Sequence, residues 1–249
     1  MIKRILLVTR ACARDEFAAE WRACVGAALG APPDARPLGL AAGTVLDEVT
    51  PDPPHDGIGL EWFADDSHLR RFEAWWGSPD GKAAKEFLGR VAEPESVSIV
   101  VAREHVMRGE EWLRQRRLEG GTSLKHMALA RRAADLTPAE FFDRWKNRAG
   151  KVGTVPIPAV ARGQAYIQNH PLLTADTDTD TDAGTGTDTD TDTDWPYDAV
   201  NEVYFDDLDG MRERISWFAE NLEQNEDDLV RENWFVAVRE ETLLPVPSS

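Results

Sequence analysis

Cysteine is scarce in this 249-residue chain: only Cys12 and Cys24 are present. They lie in one short stretch without metal-type spacing, which excludes a disulfide framework and reads as reduced thiols of a cytoplasmic protein. No apolar run approaches the ~20 residues of a membrane span. The segment Met1–Arg10 lacks a long hydrophobic region with a small-residue cleavage site, so it reads as a strand and not a signal peptide. Basic residues are outnumbered 28 to 45, and the net charge of −17 with no basic patch argues against nucleic acid as a partner. The five histidines, His55, His68, His105, His126 and His170, show no ligand spacing, so no metal is expected. Nucleophile-elbow, Walker, dinucleotide and His-Glu-x-x-His patterns are all missing. What the chain does have is a 42% hydrophobic composition with nine Trp and nine Phe, enough for a packed core.

Between Thr174 and Asp194 the sequence runs TADTDTDTDAGTGTDTDTDTD. A dipeptide repeat supplies neither the turn glycines nor the bidentate Glu of a calcium loop, and no large apolar residue is present to offset the entropy of ordering. It reads as an acidic surface insertion between two strands.

Set side by side, the two halves repeat. Ile2–Arg10 matches Leu124–Arg132, and each is followed by a helical stretch in which Phe17 and Trp21 correspond to Phe141 and Trp145 at i, i+4. Thr137-Pro138 with Glu140 makes a helix start in the second half. Second strands follow from Arg36 and Arg162, and third strands run from Asp56 to Phe63 and from Asp198 to Phe205. Helices follow that contain Leu69, Phe72, Trp75 and Trp76 in one half and Met211, Ile215, Trp217 and Phe218 in the other. Fourth strands lie at Val100–Glu104 and Val236–Glu240. Each half therefore reads β-α-β-β-α-β, an α+β, ferredoxin-like order. The expected organisation is a first domain over 1–108, a linker over 109–120 and a second domain over 121–249.

Arg131-Arg132, the Pro138–Trp145 helix, the Tyr166–His170 strand and the Asp198–Asp206 strand together resemble the EthD family of the dimeric α+β barrel superfamily. The resemblance covers residues 121–242, and 1–108 more faintly. It implies two ferredoxin-like sheets packed face to face as a barrel within one polypeptide, around a cavity, in a chain that is a monomer (an internal pseudo-dimer) or a homodimer. Family members usually carry a His four residues after the helix Trp; Ala149 stands there in this chain, and Val25 in the first half.

Alternation along the strands places Arg162, Gln164, Tyr166, Gln168 and His170 on one face of the second half, and His126, Glu202 and Tyr204 are expected to join it. Leu38, Leu40, Ala42 and Leu60 occupy the equivalent positions in the first half, an apolar wall opposite polar groups, as in a small-molecule pocket. The expectation is a protein acting on a small aromatic or polyketide-like acid or ketone without a cofactor. The resemblance implies lyase, cyclase or isomerase chemistry such as decarboxylation, with His126 or His170 transferring the proton, Glu202 orienting the imidazole, and Arg132 or Arg162 holding a carboxylate or enolate beside Tyr166 and Tyr204. A cofactor-free oxygenase on the same scaffold and a non-catalytic binding or accessory protein are the alternatives.

Overall fold

The computed structural model describes residues 1–147, 151–152, 155–172, 195–221 and 228–247. The Thr-Asp insert and Ala149 lie outside them. In chain order the main elements are β1 (Ile2–Val8), α1 (Arg14–Gly26), β2 (Gly39–Val45), β3 (Gly57–Phe63), α2 (Asp66–Trp76), α3 (Lys82–Val91) and β4 (Ser98–Arg108). These are followed by α4 (Glu110–Glu119), β5 (Thr122–Arg132), α5 (Pro138–Asn147), β6 (Ala165–Pro171), β7 (Ala199–Phe205), α6 (Leu208–Asn221) and β8 (Val230–Leu244). The residues expected as a linker form the helix α4. The helix start at Thr137 is a capping box: the Thr137 N–H donates to Glu140 Oε2 (3.0 Å), and the Glu140 N–H donates to Thr137 Oγ1 (3.3 Å).

The eight long strands close into one antiparallel barrel in the order β1-β3-β2-β8-β5-β7-β6-β4, with β4 returning to β1. Within each half the order is the same: last strand, first, third, second. Closure comes from pairing across the halves, β2 with β8 and β4 with β6, so no barrel strand is left with a free edge. Small contacts repeat as well. The Arg10 N–H and guanidinium both bind Asp56, and the Arg132 N–H and guanidinium both bind Asp198. The Asp56 N–H donates to the Val8 carbonyl and the Asp198 N–H to the Ala130 carbonyl, each at 2.8 Å. Each aspartate thus ties the start of a third strand to the end of a first strand.

Most barrel strands are covered on both faces; β4 and the start of β8 leave residues such as Ile99, Arg103 and Glu232 exposed. The interior is packed with Ile5, Leu7, Ile58, Leu60, Met127 and Val200 among others. The outer face of the first half is sealed by α1, α2 and α3 through Phe17, Trp21, Leu69 and Phe72. Trp21 lies so close over the sheet that a Cβ on Gly57 would meet its ring at 2.9 Å, which is why glycine stands there. The turn into β6 depends on Gly163 at φ +65°, where a Cβ would sit 2.4 Å from the Tyr204 carbonyl oxygen. Gly163→Ala is expected to lower stability by about 2 kcal/mol or more, read as a shift of the urea midpoint; an unchanged midpoint would disprove it.

Candidate functional site

Strand pairing decides which side chains share a face. Tyr166 is opposite Val203, which is opposite His126; Gln168 is opposite Asn201, which is opposite Ala128. Paired residues point the same way, so Tyr166, Gln168, Asn201 and His126 all lie beneath the helices of the second half. Glu202 pairs with Met127 and Ile167 and points into the barrel, as does Tyr204. The expected grouping of Glu202 with the histidines is therefore corrected. The sheet separates them, and Glu202 cannot orient either imidazole. The two halves do line a common pocket, but it is a small one at one end of the barrel, beside Trp62, Arg117, Tyr204 and Glu240. Leu40 and Ala42 pack under the first half's own helices, and the barrel interior is filled with side chains rather than open between the sheets.

Inside the barrel, Glu202 is bound by Lys3 and Lys125 (2.7 Å), by the Tyr204 hydroxyl (3.1 Å) and by the Asn169 amide (2.8 Å). Lys3 also binds Glu104 (3.0 Å), Lys125 also binds Glu240, and Arg117 from α4 binds Glu104 (2.7 Å). Three cations meet three carboxylates, so a network with Lys3, Lys125 and Glu202 fully sealed from water is neutral overall. Burial alone would raise the carboxylate pKa values. Lys3 and Arg117 instead bring Glu104 down to about 2, and Lys125 and Lys3 hold Glu202 below its usual range. Tyr204, driven well above its ordinary value by burial and by Glu202, stays a hydroxyl.

Two expected ligand-binding arginines serve the fold. Arg132 clamps Asp198 and donates Nε–H to the Leu136 carbonyl (2.9 Å). Arg162 is exposed, just before β6, and donates Nε–H to the Ile157 carbonyl (2.6 Å), repeating the Arg36 bond to the Ala31 carbonyl.

On the helix side a cleft remains. Ala128 sits mid-strand, paired on both sides and under helices, yet it is only half-buried, while His126, Met127, Leu129 and Ala130 around it are sealed. Phe235 is its neighbour on β8, Asn201 on β7, and Trp145 of α5 donates its indole N–H to Asn201 Oδ1 (3.3 Å). At the same places the first half has Leu6 for Ala128 and Gly59 for Asn201, and Trp21 sinks onto the sheet, so its cleft is almost filled.

His126 stacks on Phe235 (5.2 Å between centroids) and accepts from Arg214 Nε–H at Nδ1 (3.1 Å). Arg214 lies over Phe218 and donates to the Ala161 carbonyl. Burial and this guanidinium hold the His126 pKa well below 6.5. The imidazole is neutral, and its proton is on Nε2. Arg214 was missed from the sequence; its counterpart in the first half is Phe72, and there the guanidinium comes from the strand instead, as Arg4 against Phe72 and Trp76.

His170 is stacked on Phe142 of α5 (5.0 Å) and bonded through Nε2 to Gln168 Oε1 (3.1 Å). The Gln168 N–H₂ group reaches the Trp145 carbonyl (3.3 Å) and the Tyr166 hydroxyl (2.9 Å). A carbonyl can only accept, so Gln168 must turn its N–H₂ to Trp145 and its oxygen to His170. That fixes His170 as the Nε2–H tautomer, with the lone pair on Nδ1. Burial, His105 and Lys146 bring its pKa to about 4, so it is neutral at pH 7.

Comparison with known proteins agrees with this architecture. The EthD domain model matches residues 133–227, which include α5, β6, β7 and α6. Residues 133–227 are thus similar to an EthD domain. The helix side of that region holds the cleft. Among solved structures the chain is similar to a protein from Lactobacillus acidophilus NCFM provisionally named a monooxygenase, at 10% identity and TM-score 0.50, covering 100% of this chain and 97% of the other. It is also similar to an anthrone oxidase-like protein at 8% identity and TM-score 0.56, covering 100% and 95%. Both likenesses are of fold, and they span both halves, not the EthD-like region alone. No curated protein sequence matches the chain. No described helix is long and apolar enough to cross a membrane, and no group of three or more potential ligands for a metal ion occurs among the described residues.

Proposed function

We propose that the cleft beneath the EthD-like region's helices binds a small planar aromatic or polyketide-like ketone or acid and moves a proton on it, with His170 as the acceptor. The observation that carries the reading is the fixed His170 tautomer: Gln168 commits Nε2–H and leaves Nδ1 as a base. Donors suited to a carbonyl oxygen lie on the same face. His126 offers a neutral Nε2–H because Arg214 occupies Nδ1, and Asn201 offers its amide N–H₂ because Trp145 occupies Oδ1. Abstraction of a proton next to a carbonyl would place enolate charge against these donors, in a site walled by Phe235, Phe218 and Trp145. Reprotonation, cyclisation or loss of carbon dioxide from that enolate gives isomerase, cyclase or lyase outcomes. Reaction with dioxygen gives an oxygenase, the class named for the monooxygenase neighbour.

Hydrogen–deuterium exchange next to the carbonyl, followed by NMR over a panel of aromatic ketones, tests the step. His170→Gln is expected to slow exchange ~10²- to 10⁴-fold, and His126→Gln less. An unaffected His170→Gln variant would remove the proton-transfer role. The second reading, a binding protein without turnover, is favoured by one observation: at about 4 the His170 pKa makes a weak base. It predicts ligand binding with no exchange in the wild type.

A further inference from the structure

The edge of the cleft is built partly from the other half of the chain. In closing the barrel, β4 lays His105 opposite Gln168 and Arg103 opposite His170. The His105 and His170 rings come to 4.7 Å between centroids, with Phe142 stacked on the other side of His170 and Trp195 on Phe142. His105 is half-buried, whereas His170 is 8% exposed. The charged groups facing this pair are Lys146 from α5 and, from β4, Arg103 and Glu104. Glu104 is held inside the barrel by Lys3 and Arg117, so the edge is a positive spot on a strongly acidic chain.

We propose that His105, packed against His170, holds the carboxylate of an aromatic acid at this edge, and that binding takes up one proton from solution onto His105. The inference deepens the functional reading above and rests on it. An anion entering a site walled by aromatic rings needs a countercharge. Arg214 is committed to His126 and the Ala161 carbonyl, and Arg103 and Lys146 lie exposed in solvent at the rim. The two imidazoles are neutral when the site is empty, because burial and the neighbouring cations disfavour a charge there. A carboxylate reverses that balance, so His105 becomes imidazolium as the ion pair forms, the proton comes from the buffer, and His170 keeps Nδ1 as a base. No bond to carbon is made or broken and no electron is transferred.

Isothermal titration with 2-naphthoate and with neutral 2-naphthamide tests this at pH 6 in two buffers of different ionisation enthalpy. The expected result is uptake of about one proton per bound naphthoate and none for naphthamide. His105→Gln should cut the uptake by more than half and weaken naphthoate roughly tenfold, leaving naphthamide unchanged. Naphthoate binding without proton uptake, or with uptake unaffected by His105→Gln, overturns the His105 subsite while leaving the cleft. Failure of both probes to bind overturns the cleft reading and the subsite with it.

Discussion

Glu202→Leu is expected to destabilise the protein by about 3–5 kcal/mol, measured by urea denaturation. Leucine is what the first half has at this position, Leu60, so the volume is tolerable on this strand; the cost is electrostatic. Without Glu202, the buried Lys3 and Lys125 and the half-buried Arg117 face only Glu104 and Glu240, and the Lys3–Lys125 repulsion is no longer bridged. Lys3→Met added to Glu202→Leu leaves two separate neutral pairs, Arg117 with Glu104 and Lys125 with Glu240, and should recover at least half of the loss. A double variant no more stable than the single would show that packing, not charge balance, sets the cost. The network also predicts acid sensitivity. Carboxylates held below their unfolded value contribute stability that is complete above about pH 4.5 and is lost as pH falls through the folded value. For Glu104 that window runs from 4.5 down to about 2. The Lys3→Met/Glu202→Leu protein should lose less stability over it than wild type.

Ala128→Leu is expected to abolish ligand binding, by at least ~100-fold, while leaving the urea midpoint within ~1 kcal/mol. The change copies Leu6, the first-half residue that fills the equivalent space beneath Trp21. Because Ala128 is already half-open, the added methyl groups enter the cleft rather than a packed layer. Retained affinity for aromatic probes in this variant would place the ligand elsewhere. A collapsed midpoint would instead mean that the cleft is more tightly packed than the exposure of Ala128 indicates.

The architecture was largely legible in the sequence because it is written twice. Phe17 and Trp21 recur as Phe141 and Trp145, and Arg10 and Asp56 as Arg132 and Asp198; the Arg-Asp pairs make the same contacts in both halves, whereas Trp145 stands off the sheet where Trp21 sinks onto it. The faces of the strands were not. Polarity separates the two faces of a sheet only when one of them meets water, and along β6 and β7 both are covered. Gln168 and His170 can then lie under helices while Glu202 lies inside the barrel, each satisfied by a partner that only pairing reveals. Arg214 carried no local signal, since arginine on an exposed helix face looks the same as one turned onto a buried histidine. His105 had a signal that went unread. Once two halves share a barrel, the last strand of the first must flank the second strand of the second, so a histidine on β4 belongs to the neighbouring half's cleft.

The strand order also bears on biosynthesis. β8, the last barrel strand in the chain, fills the gap between β2 and β5, two strands made long before it. Until residues up to Leu244 have emerged from the ribosome, the nascent chain carries two open strand borders, each able to recruit the wrong neighbour. The barrel cannot close before its last strand is free to pair. Its vulnerable interval lasts until β8 is in place, and slowing or truncating synthesis within β8 should send the product to aggregates rather than to a shorter stable protein.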